Sequence, residues 1–246
     1  MLFHHPQPHK ILGILFVFSF TVLLAGVPLS AAVVPTPVKL LCEYKVDPIG
    51  IDVPGPRLSW QLEASGPGLV QDAYQIIAAS SPAGLEEGGE ALWDSGKVIS
   101  SQSLHVRYGG KAPESRQRLY WKVRIWTGDG ASGWSEPAFW EMGLLQKSDW
   151  SAAWIETTRE EDLAKSEPSP LFRREFSLAK APARARLYIT SRGLYQAEIN
   201  GKAVGDQVLT PGWTSYGERI QYQTYDVTGL LRKGGNAIGV RLGDGW

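Results

Sequence analysis

Residues 119–127 read LYWKVRIWT and alternate in polarity with a period of two. One set of alternate positions holds only apolar side chains: Leu119, Trp121, Val123 and Ile125. The other set is mixed, with two cations between aromatic residues: Tyr120, Lys122, Arg124 and Trp126. Because successive side chains of a β-strand point to opposite faces of a sheet, this pattern predicts a strand with one buried face and one outer face.

Shorter runs of the same kind surround this strand. They lie at residues 57–62, 73–79 and 139–142, and turns rich in Gly, Pro, Ser and Asp separate them. Several short strands at such spacing, without helical periodicity, predict a β-sandwich over residues 35–145. We interpret its many tryptophans as core and rim rather than as a sugar-stacking platform, since aromatic side chains dominate sandwich interiors.

The remainder of the chain predicts a second all-β domain. Residues 146–170 are polar and carry prolines, which is typical of a linker. Asn200-Gly201 lies between alternating residues and predicts a tight hairpin, because a type I′ turn needs positive φ at both central positions. Thr228 is expected to cap one helical turn over residues 230–233, ended by Gly234-Gly235. Further strands are predicted at residues 171–178, 185–190, 220–227 and 237–242.

Composition excludes several classes of function. Lys+Arg 25 balances Asp+Glu 25 in 246 residues, which disfavours a nucleic-acid partner. Cys42 is the only cysteine, so neither an intrachain disulfide nor a cysteine zinc site can form. His105 is the only histidine beyond the N-terminal residues, and the alternating run over residues 103–107 favours a strand position over a catalytic triad.

The N-terminus has the pattern of an export signal. Residues 11–24 (ILGILFVFSFTVLL) are almost wholly apolar and follow Lys10. Their length suits a signal-peptide core and is short of the ~20 residues of a membrane span. Small residues at Ser30, Ala31 and Ala32 predict cleavage after Ala32. Residues 1–32 are therefore expected to be a signal peptide, and the mature protein to be secreted or periplasmic without a membrane partner.

Two sets of motifs resemble known families. Trp60, the strand at residues 120–126 and the turn GWSEP at residues 133–137 resemble a fibronectin type III sandwich. Residues 187–202 (LYITSRGLYQAEINGK) resemble the N-terminal β-domain of bacterial α-L-rhamnosidases. That second resemblance continues to the end of the chain, through PGWTSY at 211–216, RIQYQTYDV at 219–227 and LGDGW at 242–246. It implies a second sandwich over residues 171–246, an incomplete jelly-roll of the galactose-binding-like kind.

The resemblance implies an accessory role rather than catalysis. In that family the β-domains precede an (α/α)₆ barrel, and the barrel carries the catalytic carboxylates. Such an enzyme is an inverting hydrolase of terminal α-L-rhamnosides in plant or microbial glycosides and polysaccharides. Inversion needs an acid and a base ~6.5–9.5 Å apart. No position here inherits either role, so no catalytic residue is assigned and the barrel is the expected partner in cis. The remaining acids that we considered are interpreted as turn and strand-end residues: Asp206, Glu218, Asp226 and Asp244.

A sugar-binding role is the other expectation from the resemblance. Some rhamnosidases carry a calcium-assisted rhamnose-binding module with this fold, and calcium favours oxygen ligands. Trp213 is the candidate platform for a rhamnose-containing carbohydrate, with Asp206 and Asp244 as polar or metal partners. We favour a competing interpretation, in which Trp213 plugs the sandwich end or seats against the barrel. No calcium ligand is assigned by number.

Three functions remain open from the sequence. The favoured one is the N-terminal fragment of an exported α-L-rhamnosidase; the others are a stand-alone carbohydrate-binding or adhesion module and, least favoured, a self-sufficient hydrolase. A sandwich that is cut short leaves an unpaired edge and exposed apolar faces. The second domain is therefore expected to be less stable than the first and to be cut sooner by protease.

Overall fold

The computed structural model describes residues 1, 34–64, 68–158, 162, 164–165 and 167–245. The predicted signal peptide over residues 1–32 lies outside these residues, apart from Met1. In the described part of the chain, every regular element is a β-strand or a short 3₁₀ turn. The all-β prediction is therefore confirmed. The described residues from Val34 onward belong to one compact unit.

The first domain consists of two sheets. One has three strands in the order β1-β3-β7, and the other follows the path β2-β10-β8-β4-β5, with β6 paired to β4 and β9 to β8. The strands are β1 (Thr36–Cys42), β2 (Ile49–Ile51), β3 (Arg57–Glu63), β4 (Ala73–Ala79), β5 (Ala91–Asp94), β6 (Val98–Ile99), β7 (Val106–Arg107), β8 (Arg118–Thr127), β9 (Gly130–Ala131) and β10 (Ala138–Met142).

The core of the first domain lies between these sheets. All four apolar side chains on the inner face of β8 are 0% exposed, as the alternation predicts. Trp60 and Trp140 are fully buried as well, which confirms the core interpretation for these two tryptophans and for Trp121 of β8. The Trp60 indole N–H donates to Gln71 Oε1 at 3.0 Å, so the polar atom of this buried indole is hydrogen-bonded.

Cys42 ends β1 inside this core. It is 1% exposed. Burial, with a smaller contribution from the negative charge of Glu43, raises the pKa of the Cys42 thiol to about 12. The thiol therefore stays protonated at neutral pH and acts as a small apolar side chain.

The second domain pairs a four-stranded sheet with a two-stranded one. The first has the order β11-β16-β13-β14, and the second consists of β12 and β15. The strands are β11 (Leu171–Leu178), β12 (Arg186–Ile189), β13 (Leu194–Ile199), β14 (Lys202–Ala203), β15 (Gln223–Asp226) and β16 (Gly234–Gly243). The Asn200-Gly201 hairpin is confirmed, because both residues have positive φ (53° and 78°) and Ile199 pairs with Lys202 across the turn.

Three local predictions were wrong. His105 lies outside β7 with φ 57°, because its N–H turns aside to donate to Ser59 Oγ at 3.0 Å. The short helical segment is a 3₁₀ turn over Thr228–Leu230, and Gly234-Gly235 opens β16 by pairing with the end of β11. The strand predicted at residues 220–227 is only Gln223–Asp226, since the preceding residues belong to a long connection.

Candidate functional site

The predicted platform Trp213 lies on a connection that is fixed to the sandwich. Residues 204–222 join β14 to β15, and buried Thr210 holds them to β13. Thr210 Oγ1 donates to Tyr195 O at 3.0 Å, and Tyr195 N donates to Thr210 O at 2.9 Å. The Gln223 side-chain amide donates to Pro211 O at 3.0 Å. Trp213 projects beyond these anchors and is 72% exposed.

The two predicted acidic partners of Trp213 are both exposed. Asp206 lies near the start of the same connection, whereas Asp244 follows β16. Tyr216 brings the connection close to the segment that contains Asp244. Its hydroxyl accepts the Gly193 N–H at 2.8 Å and lies close to Gly245, the residue after Asp244. Within the described ranges, no three His, Cys, Asp or Glu side chains cluster as a metal site. The geometry therefore does not indicate where a calcium ion would be held.

Among the described residues, the most buried charged group is Glu141 of β10, which the sequence pattern did not single out. It is 1% exposed and lies where the two domains meet. Arg118 of the first domain donates to its Oε2 from Nη2 at 2.9 Å and from Nε at 3.1 Å. Arg186 of the second domain donates to Oε1 from Nε at 2.7 Å and to Oε2 from Nη2 at 3.0 Å. Both carboxylate oxygens thus receive charge-assisted hydrogen bonds, which are the stronger kind.

Alternation along β12 and β15 creates this meeting of domains. Leu187 and Ile189 pack against the core of the second domain. Arg186 occupies the alternate face of β12, which is directed toward the first domain, and there it pairs with Glu141. Arg186 Nη1 also contacts Asp226 Oδ2 at 2.9 Å. Burial acts to raise the pKa of Asp226, but hydrogen bonds from Thr228 and the charge of Arg186 outweigh it and hold that pKa below its ordinary value. Asp226 is therefore ionised at neutral pH.

Aromatic and backbone contacts complete the interface. The Tyr222 hydroxyl accepts the Leu144 N–H at 2.8 Å, and burial raises the pKa of this tyrosine. Its ring lies 5.6 Å from that of Trp150. Gly50 of β2 has φ 82°, and a Cβ atom placed there would lie 2.7 Å from Thr224 Oγ1. The domains are thus packed closely enough that this position requires glycine.

The arrangement does not form a general acid and base pair. Glu141 is the only buried acid among the described residues, and guanidinium groups occupy both of its oxygens. Two shallow surface pockets of ≈ 310 Å³ and ≈ 540 Å³ each contain one carboxylate, Glu156 and Glu175 respectively. Glycoside hydrolysis by inversion needs two carboxyl groups facing one sugar.

No helix in the described part of the chain is long and apolar enough to cross a membrane.

Comparison with known proteins identifies both domains. Residues 37–146 match the family model described as the Rha78A-like N-terminal immunoglobulin domain. Residues 180–246 match the α-L-rhamnosidase N-terminal domain. The first description differs from the fibronectin type III resemblance, but immunoglobulin and fibronectin modules share the sandwich architecture.

The curated proteins that are similar to this chain include several α-L-rhamnosidases. An α-L-rhamnosidase of Formosa agariphila is 43% identical over 207 residues, which is 81% of this chain and 22% of that protein. One from an Alteromonas species is 40% identical over 220 residues, covering 86% of this chain and 24% of the relative. The chain thus spans about a quarter of the length of these two curated relatives.

Solved structures of α-L-rhamnosidases superpose on most of this chain. The α-L-rhamnosidase of Dictyoglomus thermophilum superposes with a TM-score of 0.78 at 37% identity, over 85% of this chain and 25% of that one. The Aspergillus terreus enzyme gives 0.75 at 35% identity, over 86% of this chain and 24% of that one. Each superposition covers more residues than either domain contains. Most of this chain therefore matches the N-terminal β-domains of α-L-rhamnosidases, an immunoglobulin-like domain followed by the α-L-rhamnosidase N-terminal domain.

Proposed function

We propose that this chain is the accessory, non-catalytic N-terminal region of an exported α-L-rhamnosidase. The protein as a whole would hydrolyse terminal α-L-rhamnosides of plant or microbial glycosides and polysaccharides. The observation that carries the accessory role is the state of Glu141: the one buried carboxylate in the described residues accepts hydrogen bonds from Arg118 and Arg186 and so joins the two domains as part of an ion-pair cluster. Export is supported by the apolar run behind Lys10.

Turnover by the isolated chain tests the non-catalytic role. The purified protein is incubated with 4-nitrophenyl α-L-rhamnoside, with a complete α-L-rhamnosidase as the positive control. Release of nitrophenol should not exceed the protein-free blank. Sustained turnover that co-purifies with the chain, and that a single acid-to-amide substitution abolishes, would contradict the proposal.

The domain limits belong to the same proposal. The sequence places a linker over residues 146–170 between sandwiches at 35–145 and 171–246. Trypsin treatment followed by mass spectrometry tests these limits, because exposed linkers are cut before packed strands. First cuts within residues 146–170 support them, and first cuts within β4 or β8 would contradict them.

The exposed Trp213 favours a second function, binding of a rhamnose-containing carbohydrate by a stand-alone module. Trp213 would cover the apolar face of the 6-deoxy sugar, and Asp206 and Asp244 would bind hydroxyl groups. Titration calorimetry with L-rhamnose, with and without calcium, tests this role. Trp213→Ala should remove the heat of binding, whereas Trp154→Ala, at another tryptophan that is 61% exposed, should not. No heat from the unsubstituted chain under either condition would exclude it.

A further inference from the structure

The outer face of β8 carries a row of side chains in which cations alternate with tryptophans. Lys97 Nζ lies 4.8 Å from the Trp126 ring centroid, and Arg124 Cζ lies 4.9 Å from it. Arg124 Cζ also lies 4.7 Å from the Trp134 centroid, and Lys122 Nζ lies 5.2 Å from the same ring. We call these five residues the cation–tryptophan row.

Backbone geometry fixes the row in place. Lys122, Arg124 and Trp126 occupy alternate positions of β8, so they share one face. Ser135 holds the neighbouring Trp134 against the strand, because its N–H donates to Val123 O at 2.8 Å and its hydroxyl accepts the Val123 N–H at 3.1 Å. The strand and the hydrogen bonds of Ser135 therefore set the positions of these side chains relative to one another.

The positive charge of the row lacks a carboxylate partner. In the described part of the chain, no Asp or Glu oxygen lies within salt-bridge distance of its three cations. Arg124 donates to the neutral Gln75 Oε1 at 2.9 Å and 2.7 Å. Asp94 lies beyond Gln75 and is engaged by its amide at 2.7 Å and by the Gly96 N–H at 2.8 Å.

Lys122 contributes a second accessible ammonium group to the row. The residue as a whole is 8% exposed, but its ammonium nitrogen is not among the buried nitrogen atoms that lack a hydrogen-bond partner in the described residues. Its aliphatic stem is thus covered while the charged end remains accessible beside the Trp134 ring, 5.2 Å from the ring centroid. A cation–π contact stabilises the charge but does not neutralise it.

We propose that the cation–tryptophan row binds an acidic polysaccharide through its carboxylate or sulfate groups. Cations two residues apart on β8 repeat at ~7 Å, which suits a polymer with charges at intervals better than a single small anion. The indole faces are already occupied by cations, so the row offers charge rather than a sugar-stacking surface. The choice of a polysaccharide over other polyanions rests on the proposed function.

Binding to polymers of defined charge tests this proposal. The full chain is titrated at low ionic strength with polygalacturonate, which carries carboxylates, with dextran sulfate, and with neutral dextran. At least one anionic polymer should bind and dextran should not. Binding of polygalacturonate alone or of dextran sulfate alone identifies the anionic group, and binding of both supports recognition of either. Added salt should weaken the affinity because it screens exposed charges.

Three lysine variants separate the row from general charge. Lys97→Gln and Lys122→Gln should each lower the affinity by about two- to fivefold, the range expected for one exposed or partly exposed ionic contact. Lys45→Gln removes an equal charge from an exposed turn after β1 and should leave the affinity unchanged. Thermal unfolding of each variant shows whether it folds, and Lys97→Gln keeps the test valid if the more buried Lys122→Gln does not.

Three results would overturn the proposal. These are failure of both anionic polymers to bind, equal weakening by Lys45→Gln and Lys97→Gln, and binding of double-stranded DNA as tightly as the better polysaccharide. None of them bears on rhamnoside hydrolysis, which is assayed with an uncharged aryl glycoside. Failure here and failure of the proposed function are thus distinguishable.

Discussion

At the residue scale, Glu141 shows how one carboxylate can join two domains. Its oxygens accept from Arg118 and Arg186, whose side chains are 19% and 8% exposed. Removing the carboxylate would leave the Arg118 guanidinium without its counter-charge in a partly desolvated place, and would leave Arg186 with only the more exposed Asp226. The penalty for such an unpaired charge is larger than the net gain from forming the pair.

We therefore expect Glu141→Ala to lower the free energy of unfolding by about 3–5 kcal/mol. The matched control is Glu175→Ala, which breaks the pair between Glu175 and Arg173, at 70% and 64% exposure. That change should cost no more than about 1 kcal/mol. Urea unfolding followed by tryptophan fluorescence measures both. Equal losses for the two variants would show that burial of Glu141 adds nothing.

Glu43 should contribute a pH-dependent part of the stability. Hydrogen bonds from the Arg57 side chain, which lies as close as 2.5 Å, hold the pKa of Glu43 below its ordinary value despite partial burial. A carboxylate with a lowered pKa in the folded state stabilises the protein above its ordinary pKa of ~4.3 and loses this effect as pH falls through the lowered value. Because Arg57 is 38% exposed, solvent screening keeps the expected contribution near 1 kcal/mol.

The test is the difference between unsubstituted protein and Glu43→Gln in urea unfolding at two pH values. Glu43→Gln should be less stable by about 1 kcal/mol at pH 7, and the difference should shrink toward pH 3. Glu63→Gln, an exposed acid at the end of β3, should change little at either pH. A difference that grows on acidification would contradict the assigned direction of the shift.

At the element scale, local pattern predicted strands well and their ends less well. The bounds of β4 and β11 are those that the apolar alternation indicates, because both strands pair along their length with a neighbour. Residues 220–222 continue the alternation of β15 but are not in it, since Tyr222 points to Leu144 of the other domain. The contact between Glu141 and Arg186 could not be predicted from the pattern either. The two residues lie 45 positions apart in the sequence, and a period-two alternation holds no information about contacts at that separation.

Gly50 in β2 offers a test of the contact between elements of the two domains. Gly50→Ala should lower the free energy of unfolding by about 2–3 kcal/mol, because it adds a steric contact with Thr224 to the strain of a positive φ. Gly88→Ala is the control: its φ of 77° is similar, but a Cβ there meets nothing within 4 Å. That variant should lose only about 1 kcal/mol. Equal losses would mean that Thr224 yields without cost.

At the scale of the whole molecule, the two domains differ in the size of their cores. Among the described residues, the main cluster of the first domain contains fifteen buried residues and that of the second contains six. Since burial of apolar surface is the main favourable term in folding, we expect the second domain to have less stability of its own. Part of its support comes from the first domain, through the contacts of Arg186 and Tyr222.

Limited proteolysis should therefore cut the second domain before the first. A stable fragment retaining residues 35–145 is the expected product, identified by mass spectrometry. Glu141→Ala should speed the cutting of residues 171–245 more than that of the first domain, because it loosens the attachment of β12. If protease spares both domains equally, the predicted difference in stability is wrong.

The position of Cys42 has a practical consequence for spectroscopy. With the only thiol of the chain sealed in the core and protonated, maleimide dyes should not react with the folded protein. A cysteine introduced at an exposed site, such as Ser101 in the first domain or Ser215 in the second, would then carry the sole label. Pairs of such labels would allow energy transfer to report the separation of the domains, without first replacing the natural cysteine.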